Sequence, residues 1–222
     1  MTGAAPTGPR EQLAGLAARG VRWPPWAWVR IAGLRPAAVL VLFGALDHRP
    51  AAHAAPAVPA DLDLLLVGRA VDLTHHPGQV AFPGGRIEPE DGGAVAAALR
   101  EAHEETGLDP SGVEVLGTLG SLPVPVSRYS VTPVLGWWAR PSTVAVVDAA
   151  ESAAVFRAPV ADLVDPARRG TVTVGRTPAH RSPAFEVAGH VVWGFTGLVL
   201  DHLLDELGWA EPWDRGRRIE LP

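Results

Sequence analysis

The stretch FPGGRIEPEDGGAVAAALREAHEETGLDP, Phe82 to Pro110, constrains this chain more than any other. Only 19% of the residues are charged, yet Glu101, Glu104 and Glu105 fall within five positions and Arg100 stands beside the first of them. Gly92 and Gly93 precede, and Gly107 follows, a segment that predicts a helix over Ala94–Thr106. At about 100° per residue, Val95, Leu99, Ala102 and Thr106 share a side that can face a core. The three glutamates share another arc of about 100°. Like charges at that spacing repel, so convergent carboxylates call for something positive between them. Arg100, four residues before Glu104, can pair with it. A hard divalent cation such as Mg²⁺ takes a few carboxylate oxygens and keeps waters that a substrate's phosphates can replace. The other reading of the same string is a solvated acidic helix face. Gly84 and Gly85, read as a tight loop ahead of the helix, let backbone approach a metal or phosphate closely.

Around this segment the chain reads as strands, a helix, more strands and a C-terminal helix. "PAAVLVLFGAL" and "LLLVG" have the apolar, β-branched character of buried, paired strands. "DHRPAAHAAPAVPADLD" between them reads as a flexible loop. "QVAF", "VEVLGTLGSLPVP", "SVTPVLGWWAR", "TVAVVD", "TVTVG" and "AFEVAGHVVWG" are strand-like. "FTGLVLDHLLDELGW" is helical, with a stripe of Leu198, Leu200, Leu203, Leu204 and Leu207. That order predicts an α/β fold, a mixed sheet between helices. Residues 1–35 read as an N-terminal extension, with a short helix ended by Gly20 and a docked arm carrying Trp23, Trp26 and Trp28. Residues 36–206 form the main domain and 207–222 a C-terminal tail. Trp137 and Trp138 alternate across a strand and read as packing on two layers, and Trp193 reads as core.

The composition narrows function. The 222 residues carry a formal net charge of -5 and no basic patch, so nucleic-acid binding is not expected. There is no cysteine, hence no disulfide, thiolate zinc site or cysteine nucleophile. No signal peptide is visible, and the longest apolar run, residues 37–46, is half of what spans a bilayer. The expectation is a cytoplasmic protein without a membrane role.

The segment resembles the Nudix box, G-x5-E-x7-R-E-U-x-E-E-x-G-U. Here Gly85 is followed by five residues, Asp91, eight residues, and then Arg100-Glu101-Ala102-His103-Glu104-Glu105-Thr106-Gly107-Leu108. The core matches fully; Asp91 replaces the first glutamate and one residue is added before Arg100. Upstream, "LVGRAVDLTHHPGQVAFPGG" is similar to the coenzyme A pyrophosphatase branch of that family, with Leu66, Ala70, Gly78, Phe82, Pro83, Gly84 and Gly85 in place. Val67 and Gly68 stand where that branch has Leu and Thr, and Thr74 where it has Arg. The likeness spans about residues 36–206.

The resemblance implies a Nudix fold, an α/β/α sandwich with a mixed central sheet. It also implies a Mg²⁺- or Mn²⁺-dependent hydrolase that cleaves the diphosphate of a nucleoside diphosphate derivative. Glu101, Glu104, Glu105 and the Gly85 carbonyl would hold metal, and Arg100 would orient the carboxylates. The base that takes the water's proton is left open among Glu104, Glu105 and Glu151. Arg69, His76, Gln79 and Arg86 are the candidate substrate contacts. With coenzyme A or acyl-coenzyme A as substrate, the products are a phosphopantetheine and adenosine 3′,5′-bisphosphate. Thr74 leaves ADP-ribose, NADH or a nucleoside triphosphate open as substrates. A non-catalytic nucleotide-binding regulator is the reading from another class, and the intact glutamates argue against it. The Trp-rich arm leaves a homodimer open.

Overall fold

A computed structural model describes residues 7–29, 31–45, 51–70, 78–173 and 181–221, with the side chains of Trp26 and Trp28 outside the description. The chain runs α1 (Pro9–Arg19), β1 (Arg35–Ala45), β2 (Leu62–Arg69), β3 (Val80–Ala81), β4 (Gly84–Arg86) and α2 (Ala94–Thr106). It continues with β5 (Val113–Thr118), β6 (Leu122–Val124), β7 (Tyr129–Trp138), β8 (Ser152–Pro159) and α3 (Val160–Val164). β9 (Arg169–Thr173), β10 (Arg181–Val187), β11 (His190–Val192) and α4 (Gly194–Glu206) complete it.

Eight strands form one mixed sheet with the path β3-β2-β1-β7-β5. β1 and β7 run parallel over Arg35–Phe43, and the other pairings are antiparallel. One edge of β1 is shared: Phe43–Ala45 pair with Leu62–Leu64, whereas Ala37–Val39 pair with Gly84–Arg86. The sheet therefore splits beside β1, and Phe82–Arg86 enters at the split, where Leu40 N–H donates to the Pro83 carbonyl at 2.8 Å. β9, β10 and β11 form a second, three-stranded sheet, which the sequence had not separated from the first.

β1 is apolar on both faces because both are covered. Ala38, Leu40 and Leu42 pack with Ala97, Ala98 and Ala102 of α2, together with Leu65, Val134 and Trp138. Val41 and Phe43 point the other way, into a larger cluster with α1, α3 and α4. The fold is thus an α/β sandwich with a mixed sheet between helical layers. α2 forms over the span expected, but it buries Ala97, Ala98, Ala102 and Thr106, while Val95 and Leu99 are only partly covered. The line of contact with the sheet thus runs through the small residues.

Segments outside 36–206 join the same core. Leu13 and Leu16 of α1 are fully buried. Trp23 donates through Nε1 to the Leu119 carbonyl at 2.7 Å. Trp209 sits edge-on to Phe43 and donates to Gln12 Oε1 at 2.6 Å. Burying each such side chain stabilises by roughly 1.5–3 kcal/mol.

Two further readings, away from the central helix, differ from the structure. Residues 143–148, read as strand-like, form no strand; Ala145 N–H and Val147 N–H instead donate to the carbonyls of Thr106 and Glu105, at 3.0 and 3.4 Å. They satisfy carbonyls at the end of α2 that no helical partner reaches. The described part of the Ala/Pro-rich loop, residues 51–61, is docked and not loose. Val58 is buried, His53 N–H donates to Asp162 Oδ1 at 2.9 Å, and His53 Nε2 lies 2.8 Å from Glu211 Oε1. Among the described residues no helix is long and apolar enough to cross a membrane.

Candidate active site

The site is built at the split in the sheet, where α2 lies across β4. Gly84 and Gly85 are not a loop, as the sequence suggested, but the start of a three-residue strand wedged between β1 and the helix. Gly84 has φ +153°, and a Cβ there would lie 2.4 Å from the Ala38 carbonyl oxygen and 2.6 Å from Val39 Cα. A Cβ on Gly85 would fall 2.5 Å from Oε1 and 2.6 Å from Oε2 of Glu101. Absent side chains therefore do two jobs: at 84 they let strand meet strand, and at 85 they let a carboxylate meet backbone.

Glu105 reaches the same strand from the next turn of the helix, and its Oε2 accepts the Gly84 N–H at 3.0 Å. Its carboxyl is pushed up from 4.5 to about 7, first by burial and then by the charges of Glu101 and Glu151; the Gly84 N–H and Arg69 oppose the shift. Burial also raises Glu101, which Arg100 opposes and Glu104 and Glu151 reinforce. These are the marks of carboxylates gathered without enough positive charge between them.

Arg100 supplies part of that charge, and more partners than its spacing announced. Nε and Nη2 donate to the two oxygens of Asp91, both at 2.9 Å. Nη1 donates to Glu101 Oε1 at 3.1 Å and to Glu104 Oε2 at 2.9 Å, and Nη2 also donates to the Arg86 carbonyl at 3.1 Å. Asp91 is held below the usual carboxylate range by this fork and by the Glu88 N–H. Arg100 is pushed further up, chiefly by the bond to Asp91. Asp91 is thus the arginine's anchor, a role that sequence spacing missed because the contact crosses from a turn to a helix nine residues on. Glu104, its carboxylate on Arg100, is the most exposed of the three glutamates.

Of the remaining candidates, Glu151 lies in an exposed turn before β8, and its charge acts on both Glu101 and Glu105. Arg69 ends β2; its Nε is buried with no hydrogen-bond partner among the described residues, and its charge acts on Glu105. The backbone carbonyl of Gln79 accepts the Arg69 N–H at 2.9 Å, which places it at the same sheet edge. Arg86 is exposed, with Glu88 at 3.7 Å. His76, with His75 and Thr74, lies outside the described residues. His103 points away from the carboxylates, and its Nδ1 lies 2.9 Å from the Leu108 carbonyl.

No three His, Asp or Glu side chains among the described residues close around one point at ligating distance; Arg100 holds Glu101 and Glu104 instead. The donor set nevertheless fits a hard cation. Two partly buried carboxylates with raised affinity for protons, beside a backbone that no Cβ shields, are what a divalent ion would neutralise.

Comparison with known proteins gives the family. The family model for the NUDIX domain matches residues 47–169. The chain is 38% identical over 165 residues to the uncharacterized Nudix hydrolase NudL of Escherichia coli (strain K12), covering 73% of this chain and 85% of the relative. It matches the NudL of Shigella boydii serotype 4 to the same extent. Among solved structures, the NUDIX domain of Shewanella oneidensis NrtR complexed with ADP ribose aligns with 70% of this chain and 86% of its own, at 23% identity and a TM-score of 0.42. RenU, a Nudix hydrolase from M. Smegmatis, aligns with 54% of this chain and 69% of its own, at 26% identity and a TM-score of 0.37.

Proposed function

The chain belongs to the Nudix hydrolase family and is a diphosphatase, and on that premise we propose that it cleaves coenzyme A or acyl-coenzyme A to a phosphopantetheine and adenosine 3′,5′-bisphosphate. The observation that carries the site assignment is the pairing of Glu101 and Glu105 against Gly85 and Gly84, with the Arg69 guanidinium charge felt at Glu105. The substrate assignment is supported by the sequence from Leu66 to Gly85, in which Leu66, Ala70, Gly78 and the FPGG end match the branch named above.

In this reading Glu101, Glu104, Glu105 and the Gly85 carbonyl would hold Mg²⁺ or Mn²⁺. When bound, such an ion would neutralise the diphosphate and acidify a water for attack at phosphorus. Arg100, fixed by Asp91, orients Glu101 and Glu104 and would not touch the metal. The Arg69 guanidinium, whose charge is felt at Glu105, would pair with a phosphate oxygen. Gln79, Arg86 and His76 are the further candidate substrate contacts. Glu151 accepts the proton of the attacking water: it is exposed, close enough to raise Glu101 and Glu105, and free of the hydrogen bond that engages Glu105.

The test is an endpoint assay with Mg²⁺ or Mn²⁺ on coenzyme A, acyl-coenzyme A, NADH, ADP-ribose and nucleoside triphosphates, with products resolved by mass. Chelator-sensitive release of adenosine 3′,5′-bisphosphate from coenzyme A is expected. Cleavage of ADP-ribose or NADH alone would refute the substrate and point to Thr74, where the branch has arginine, as the position that redirects the pocket.

A further inference from the structure

One segment outside the glutamate helix touches both walls of the site. Residues 145–152 hang from the end of α2 through the bonds to the Thr106 and Glu105 carbonyls. They reach the opposite wall where Ala70 N–H, next to Arg69, donates to the Glu151 carbonyl at 3.0 Å. Asp148 ties the turn between these two attachments. Its Oδ1 accepts the Ala150 N–H at 2.8 Å, and its carbonyl accepts the N–H groups of Glu151 and Ser152 at 3.2 and 3.0 Å. Asp148, Ala149, Ala150 and Glu151 are all exposed, so packing does not hold this turn. Hydrogen bonds do, and an aspartate that bonds the amide two residues on is a common way to fix such a turn.

We propose that Asp148 is a positioning residue for Glu151: it sets where that carboxylate stands relative to Glu101 and Glu105 and touches neither substrate nor reacting atoms. The proposal rests on the reading of Glu151 as the proton acceptor. A catalytic group that must meet one water has little tolerance for displacement; an error of about 1 Å can cost about a hundredfold in rate. Asparagine at 148 keeps an oxygen for the Ala150 amide, whereas alanine leaves only the backbone carbonyl.

The test compares Asp148→Ala, Asp148→Asn, Glu151→Gln and the double variant Asp148→Ala/Glu151→Gln. The readouts are kcat and KM against pH with Mg²⁺, thermal midpoint, and amide hydrogen exchange of residues 149–152. Asp148→Ala should lower kcat about tenfold with KM unchanged within about twofold. Its kcat–pH profile should move toward that of Glu151→Gln, and Asp148→Asn should recover most of the rate. The double variant should be no slower than Glu151→Gln, because a positioner has nothing left to position. Amides 149–152 should exchange faster in Asp148→Ala with the thermal midpoint unchanged. Asp148→Ala at the wild-type rate, beside an impaired Glu151→Gln, overturns the positioning role, as do additive losses in the double variant. A fully active Glu151→Gln overturns instead the assignment of Glu151. Unchanged exchange at 149–152 overturns the proposal whatever the substrate.

Discussion

Replacing Gly85 with alanine separates what this strand does for folding from what it does for chemistry. The added Cβ would sit 2.5–2.6 Å from the carboxylate atoms of Glu101, inside any allowed contact. The clash is with the far end of a flexible side chain, and Gly85 does not need a positive φ. Glu101 can swing aside, so the fold should lose no more than about 1 kcal/mol. The carboxylate, however, leaves its place against the Gly85 backbone, and a shift of about 1 Å is worth about a hundredfold in rate, or about 2.7 kcal/mol in the barrier. Gly84→Ala is the control. Its Cβ meets backbone at 2.4 Å and its φ is +153°. Strain of about 1–3 kcal/mol for the dihedral and about 1–3 kcal/mol for overpacking should unfold the protein at a much lower denaturant concentration. The assay is chemical denaturation alongside kcat/KM and Mn²⁺ affinity. A Gly85→Ala enzyme with wild-type activity and metal affinity would show that Glu101 does not work from its place against Gly85.

Three further outcomes are expected. The raised carboxyl of Glu105 keeps its proton in the fold between pH 4.5 and about 7 while the unfolded chain loses it; stability is therefore full below 4.5 and falls as pH rises through 7, by up to about 3 kcal/mol. Denaturation of metal-free protein against pH should show that loss, Glu105→Gln should remove it, and excess Mn²⁺ should offset it. Arg100→Lys cannot reproduce the fork to Asp91 or the bonds to Glu101, Glu104 and the Arg86 carbonyl; it should lower kcat/KM at least tenfold and cost about 1–3 kcal/mol of stability. Leu13→Ala, in a fully buried position on α1, should cost about 2–5 kcal/mol in denaturant titration, where a loosely attached extension would lose almost nothing.

Local chemistry made the central helix legible without a structure. Its glycine borders, its length and the clustering of Glu101, Glu104 and Glu105 are short-range facts, set by backbone propensity and by a 100° step per residue. Buried strands β1, β2 and β7 were legible for the same reason, since an apolar run needs two covered faces. What the chain could not disclose on its own was who meets whom across space. That Asp91 anchors Arg100, that Gly84 and Gly85 form a strand in the split beside β1, and that residues 143–148 cap α2 and form no strand all depend on contacts between distant elements. The docking of the 51–61 segment through His53 and the gathering of Arg69 and Glu151 around Glu105 are of the same kind. Such contacts are chosen by the global packing minimum, where burial and hydrogen bonding of many residues together outweigh the preference of any one segment. The sequence by itself determined which side chains were available for the chemistry; the tertiary structure alone decided which of them stand together, because a pKa, a clash or a hydrogen bond exists only between neighbours in space.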